Sequence, residues 1–171
     1  VDTNAPEFAE AEKAVKDKIS KLLSISGKQS VDDLHKKLGN IMWENVGMAR
    51  TKESLEKAIK EIQAVRKAFW SGVKVPGTNG EFNQELEKAL RLADFLELGE
   101  LMAKDGLNRN ESCGGHFREE YQTPEGEALR DDEHYAYAAV WEYKGDKEEP
   151  VLHKEELKFE DIKVAQRNYT D

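Results

Sequence analysis

The sequence predicts a mainly α fold, an up-and-down helical bundle over residues 1–107 followed by a loop and a β-hairpin over 108–171. Three observations carry that prediction. Apolar residues recur at spacings of three and four along most of the first 107 positions, the period of an amphipathic helix. Charged residues make up 36% of the chain against a usual ~25%, and long amphipathic helices supply the solvated face that such an excess needs. From Tyr135 onward the pattern changes to a period of two in β-prone residue types.

In chain order, Pro6 stands where a first helical turn tolerates it, and Phe8, Ala11, Val15, Ile19 and Leu22 follow as one stripe. The stretch from Ser24 to Gln29, with Gly27, breaks that helix. Ser30 with Asp32 and Asp33 restarts one, the hydroxyl as cap and the acids suited to the positive end of the helix dipole. Leu34, Leu38, Ile41, Met42 and Val46 form the second stripe. Thr51 caps a third helix through Leu55, Ile59, Ile62, Val65 and Phe69, ending near Gly72. Val75 to Gly80 is a breaker. Beyond Asn83, apolar positions from Leu86 to Met102 are too many for one stripe, so a helix apolar on most sides, hence central, is expected. Residues 108–133 have no periodicity, and a loop of that length needs support. Tyr135, Tyr137, Ala139, Trp141 and Tyr143 then alternate with Ala136, Ala138 and Val140. Gly145 to Pro150 turns the chain and Val151 to Phe159 returns it, giving a hairpin that wants cover on both faces.

Composition narrows the function. A length of 171 residues fits one ordinary domain, or a domain with an appendage. The net charge of −9 argues against nucleic acid, whose binding rests on neutralising phosphates. No run of about 18 apolar residues inserts into a membrane. A single cysteine, Cys113, excludes an internal disulfide and fits a reducing compartment, so an intracellular, soluble chain is expected. A start at Val1 rather than methionine reads as a piece of something longer.

No glycine-rich dinucleotide or phosphate motif is present, nor G-x-S-x-G, nor H-E-x-x-H. Cys113 and His116 have the spacing of half a metal site that His134 and His153 could complete, but structural zinc sites usually carry more cysteines. Cys113 beside His116 lacks a third group to orient it as a nucleophile. The expectation is therefore no catalytic, cofactor-binding or metal residue in this sequence. The unusual stretch is Arg109 to Arg118, where adjacent Gly114 and Gly115 permit close approach of another surface and Arg109, Arg118 and Arg130 can fork onto carboxylates. It reads either as a salt-bridged surface loop or as a docking loop.

That stretch, R-x-E-S-x-G-x-H-x-R followed by the Arg130-Asp131-Asp132 triplet, closely resembles the C-terminal region of the flavoprotein subunit of succinate dehydrogenase and fumarate reductase. Phe82-Asn83, the run from His35 to Trp43 and the ending Arg167-Asn168-Tyr169 extend the resemblance. Cys113 departs from it, standing where the commoner form has arginine. The L-aspartate oxidases share E-S-x-G-x-H but follow it differently. The resemblance implies a three-helix, spectrin-like bundle with an extra N-terminal helix or helix segment, and a tail that packs on a flavin-binding domain. It implies a parent subunit with covalent FAD that interconverts succinate and fumarate, with an iron–sulfur subunit, a quinone-reactive membrane anchor and a place at the inner face of the cell membrane as its setting. Arg109, Glu111, Ser112, Gly114, His116, Arg118, Arg130, Asp131 and Asp132 are then candidates for docking between domains or subunits. The fragment itself is expected to be inactive. The alternative is an independent acidic helical adaptor.

Overall fold

A computed structural model describes residues 2, 4–145 and 148–166. The element order is α1 (Pro6–Ser24), β1 (Gln29–Ser30), α2 (Val31–Asn45), β2 (Ala49–Arg50), α3 (Lys52–Gly72), β3 (Val73–Lys74), α4 (Gln84–Asn108), β4 (Phe117–Arg118), α5 (Asp132–Tyr135), β5 (Tyr137–Glu142) and β6 (Val151–Glu156). The chain divides into two units, Val1–Leu107 and Asn108–Asp171.

The first unit is the helical bundle. Its helix starts follow from local chemistry: Pro6 stands in the first turn of α1, and Ser30 Oγ accepts from the Asp33 N–H at 3.0 Å. Thr51 and Ser54 form a reciprocal capping box. Asn83 Oδ1 accepts from the Leu86 N–H at 3.0 Å while its amide donates to Pro76 O and Thr78 O, closing the connection before α4. The core is built from Leu22, Leu34, Leu38, Leu55, Ile62, Val65, Phe69, Leu92 and Leu96, with smaller neighbours between them. Ile62 and Leu55 approach Gly99 and Gly106, and Gln63 reaches Glu100, so α3 and α4 run antiparallel.

A backbone contact fixes where α2 begins. β1 and β3 pair in parallel, Gln29 opposite Val73 and Ser30 opposite Lys74, and the Lys28 N–H donates to Gly72 O at 3.0 Å. Gly27 makes that approach possible, since a Cβ there would lie 1.9 Å from Gly72 O.

The fourth helix corrects one expectation. It is not apolar on most sides: α4 buries one face, largely of small residues (Ala89, Ala93, Gly99, Ala103, Gly106), and turns Phe95, Leu98 and Met102 outward. Interspersed with Leu86, Leu92 and Leu96, these small side chains let the buried face approach its neighbours closely, while Phe95, Leu98 and Met102 lie on the other side. Buried on that same face is Glu100, which the sequence reading passed over. Its carboxylate meets Arg66 at 2.7 Å, Lys104 at 2.9 Å and Gln63 at 2.9 Å. Burial pushes its pKa up, but the hydrogen bonds from Gln63 and Lys104 and the charges of Arg66 and Lys104 prevail, holding it below 4.5. A depressed carboxylate stabilises the fold above its ordinary value, and that contribution is lost as pH falls through the folded value. Thermal melts should therefore show the bundle losing stability below pH 4.5, and Glu100→Gln should flatten part of that decline.

The second unit carries the hairpin, β5 against β6 antiparallel, with Tyr137 opposite Glu156 and Glu142 opposite Val151. The strands are shorter than the alternation suggested. Tyr135 ends the single turn α5, capped by the Asp131 side chain, and β6 stops at Glu156 instead of Phe159. Along β5, Tyr137 is buried and Ala139 and Trp141 are half-buried, whereas Ala138, Val140 and Glu142 are exposed. Part of the expected turn, residues 146 and 147, and the ending Arg167-Asn168-Tyr169 lie outside the described residues.

Candidate functional site

The loop from Arg109 to Asp132 is held by a polar knot made largely of the residues that the motif singles out. Glu111, 2% exposed, accepts from Arg109 through Nη2 at 2.8 Å and Nε at 3.2 Å, and its other oxygen accepts from the Asp131 N–H at 3.0 Å. Arg109 also donates to Tyr135 O at 2.7 Å, which fixes the entry to the hairpin. The buried Ser112 hydroxyl accepts from the Arg118 N–H at 2.8 Å and donates to Arg118 O at 3.1 Å, so one side chain closes the loop in both directions. Backbone bonds between Cys113 and His116 form a tight turn at its tip, with Gly114 at φ +60°.

Arg118, 2% exposed, donates to Glu120 Oε2 at 3.1 Å and to Arg109 O at 3.2 Å, and its guanidinium lies 5.4 Å from the Tyr121 ring. His116 Nε2 lies 3.0 Å from the same Arg109 carbonyl. Arg109 further stacks near the rings of Tyr135 and Tyr137, at 5.8 and 5.4 Å, and Lys154 lies 4.3 Å from the Tyr137 ring. Removing the hydroxyl in Ser112→Ala deletes its two bonds to the Arg118 backbone. The expected loss is about 1–3 kcal/mol of unit stability, readable by denaturant unfolding.

The structure thus brings together Arg109, Glu111, Ser112, His116 and Arg118, with the Asp131 backbone joined to them. Arg130 and Asp132 form a separate pair, Nε to Oδ1 at 3.0 Å, with Arg130 Nη1 donating to Ala165 O at 3.1 Å. Asp131 bonds its side chain to His134 at 2.9 Å, and that bond raises the imidazole pKa and lowers that of the carboxyl. Glu120, Tyr121 and Tyr137 join the knot although the motif does not include them: the first two look like solvated loop residues, and the strand alternation marks Tyr137 only as one strand position among several.

The metal reading finds no geometry. Among the described residues no three His, Cys, Asp or Glu side chains are placed to hold an ion. His116 turns to a carbonyl, His134 to Asp131 and His153 to Glu142 at 2.8 Å. No helix among the described residues is long and apolar enough to cross a membrane.

Glu111, Ser112 and Arg118 are buried, so they shape the loop from beneath. The tip and rim face outward: an added Cβ at Gly114 or Gly115 would meet nothing within 4 Å. Beyond the loop, Val140, Val151, Leu157, Phe159, Ile162 and Val164 are each 40 to 74% exposed.

Residues 35–169 match the family model described as "Fumarate reductase flavoprotein C-term". The fumarate reductase flavoprotein subunit of Proteus vulgaris is 30% identical over 118 residues, 69% of this chain and 19% of that protein. The succinate dehydrogenase flavoprotein subunit of Bacillus subtilis is 26% identical over 153 residues, 90% of this chain and 24% of that protein. In fold, the chain superposes on a variant of the E. coli quinol fumarate reductase with a TM-score of 0.81 at 23% identity, covering 96% of this chain and 27% of that one. The chain therefore spans about a fifth to a quarter of the length of these relatives. None of these similarities supports the adaptor reading.

Proposed function

This chain belongs to the family of fumarate reductase flavoprotein C-terminal regions, and on that premise we propose that it is the C-terminal structural and docking module of a flavoprotein subunit that interconverts succinate and fumarate. Covalent FAD, an iron–sulfur subunit and a membrane anchor at the inner face of the cell membrane complete the proposed assembly. The residues present do not fit a flavin site. The glycines never fall as G-x-G-x-x-G, and Arg109 and Arg118 are already engaged by Glu111 and Glu120. The flavin and the chemistry belong to the remainder of the subunit.

The observation that carries the reading is the contrast within residues 108–166. A rigid knot fixes the loop, yet the hairpin face and tail leave Val140, Leu157, Phe159, Ile162 and Val164 uncovered. A flavin-binding domain of the same subunit supplies the missing cover. In this account Glu111, Ser112, His116 and Arg118 hold the loop in its docking shape. Gly114 lets the partner surface approach the backbone, and Arg109, Arg130, Asp131 and Asp132 border the contact. Domain boundaries at 1–107 for the bundle and 108–171 for the docking tail follow.

The test removes charges from the rim. Arg130→Ala with Asp132→Ala removes a pair that is 24% and 46% exposed, worth about 0–1 kcal/mol in a chain standing alone. In the 171-residue chain the melting temperature should barely move. In the full-length subunit, flavin content and resistance to proteolysis between the domains should fall. Unchanged flavin content and protease resistance there would remove the rim from the docking surface.

A further inference from the structure

The connection that leads into α4 carries a chemistry that neither the bundle core nor the docking loop uses. Residues 75–83 contain no helix or strand, and every position from Pro76 to Phe82 is exposed. One side chain pins this connection. Asn83 donates its amide to Pro76 O at 2.9 Å and to Thr78 O at 3.0 Å, while its oxygen accepts from the Leu86 N–H in the first turn of α4. Asn79 to Phe82 therefore form an apex between fixed points. Asn79 is followed by Gly80, the one Asn-Gly step in the sequence. Among the described residues the Asn79 side chain has no hydrogen-bond partner, and the Gly80 N–H has a single long bond, to Thr78 Oγ1 at 3.4 Å. The backbone does not demand glycine at this position. Gly77 stands at φ +89°, whereas Gly80 lies outside the left-handed region, and a Cβ there would meet only Thr78 Oγ1, at 3.8 Å.

We propose that Asn79 is a self-modification site, converting through a succinimide to aspartyl and isoaspartyl forms in the folded protein. Base removes the Gly80 amide proton, and the nitrogen attacks Asn79 Cγ. The new N–C bond closes a ring, the Cγ–Nδ2 bond breaks, and Nδ2 leaves as ammonia with a proton taken from solvent. Water then opens the ring at either carbonyl. Opening at Cγ gives aspartate; opening at the main-chain carbonyl leaves Gly80 joined through Cγ, an isoaspartyl link with one extra backbone carbon. The sum is amide plus water to acid plus ammonia, with no change of oxidation state. Nothing holds the Asn79 side chain away from the Gly80 nitrogen, and glycine puts no Cβ in the path of ring closure. Loop motions on the ns–μs scale sample the attack geometry far faster than the reaction proceeds. The other asparagines within the bundle lack this combination. Asn40 and Asn45 are in α2 and Asn108 ends α4, where helical backbone constrains the following nitrogen, and Asn83 is tied through both ends of its amide and precedes Gln84. Each event adds one negative charge to the apex before α4. The extra backbone carbon falls between the pinned points, so the Asn83 contacts survive it.

The proposal is independent of docking on a flavin-binding domain, and the full-length protein carrying this sequence tests it. Trypsin releases Val75–Lys88, so Asn79 and Asn83 are read in one peptide. After days of incubation of the native protein, a mass gain of about 1 Da should be found at Asn79 and not at Asn83. Its rate should rise roughly tenfold per pH unit, because the nucleophile is the deprotonated amide. A carboxyl methyltransferase specific for isoaspartyl residues, supplied with S-adenosylmethionine, should label the aged protein and not freshly prepared Asn79→Asp. Gly80→Ala should slow conversion about tenfold, since its methyl crowds the ring-closing nitrogen; an unaltered circular dichroism melt establishes that it folds. The native rate should lie within about tenfold of that in urea, as expected of an exposed loop tip. A native rate slower than that would show the apex to be held or covered, and would overturn the proposal. Equal conversion at Asn79 and Asn83, or a rate that ignores Gly80→Ala, would overturn it as well.

Discussion

Gly27→Ala should destabilise the helical bundle by about 2–4 kcal/mol, lowering its melting temperature by roughly 5–15 °C. The added methyl would stand 1.9 Å from Gly72 O and 2.5 Å from Val73 O, both backbone atoms that no rotamer change can move aside. Relief requires the α1–α2 connection to lift off the end of α3. That movement breaks the Lys28 to Gly72 bond and the two-residue parallel pairing of β1 with β3. Gly39→Ala is the matched control, since it adds the same methyl to open space inside a helix. There alanine's better helix propensity should leave stability unchanged or raise it by about 1 kcal/mol. Thermal denaturation of the two variants side by side checks the pair.

The second large effect belongs to the knot. Glu111→Ala should cost about 2–4 kcal/mol, because it strands Arg109 in a site where only 23% of that side chain meets solvent and removes the acceptor of the Asp131 N–H. Complete loss of a buried partner lies at the upper end of that range, and the partial exposure of Arg109 brings it down. The damage should be local. Amide exchange should accelerate in residues 109–142, while the helices of the bundle keep their protection. Uniform protection across the loop in the variant would show that the Arg109 contact contributes little.

What the sequence made legible was what depends on neighbours in the chain. The periods of the first three long helices, the hydroxyl caps at Ser30 and Thr51 and the proline at the start of α1 are local signals, and each has its counterpart in the structure. The motif Arg109 to Arg118 was legible as a unit, because its residues serve one another across two to nine positions. Contacts set by packing were not legible. Nothing near Gly27 indicates that Gly72 lies against it, and Glu100 looks like one more solvated acid until Arg66, Lys104 and Gln63 converge on it. The misreading of α4 has the same origin: periodicity counts apolar residues, but which face is buried depends on whether small ones are available for close approach. At the hairpin, alternation located the strands but overran both ends. Tyr135 is taken into a turn by the Asp131 cap, and Leu157 donates to Ala136 O beyond the last strand pair.

If the tail docks on a flavin-binding domain, as proposed above, the exposed apolar residues Val140, Leu157, Phe159, Ile162 and Val164 are the ones it covers. An added Cβ at Gly114 or Gly115 would meet nothing within 4 Å, so the tip has room for an approaching surface.

The central claim, that this sequence is the C-terminal module of a covalent flavoprotein, is tested most directly in the source cells. An antibody or peptide mass locates the sequence on a denaturing gel, and flavin fluorescence is read in the same band. The account predicts a band several times heavier than 19.5 kDa that fluoresces after denaturation. A dark band at 19.5 kDa would contradict it and leave the family likeness as a record of descent.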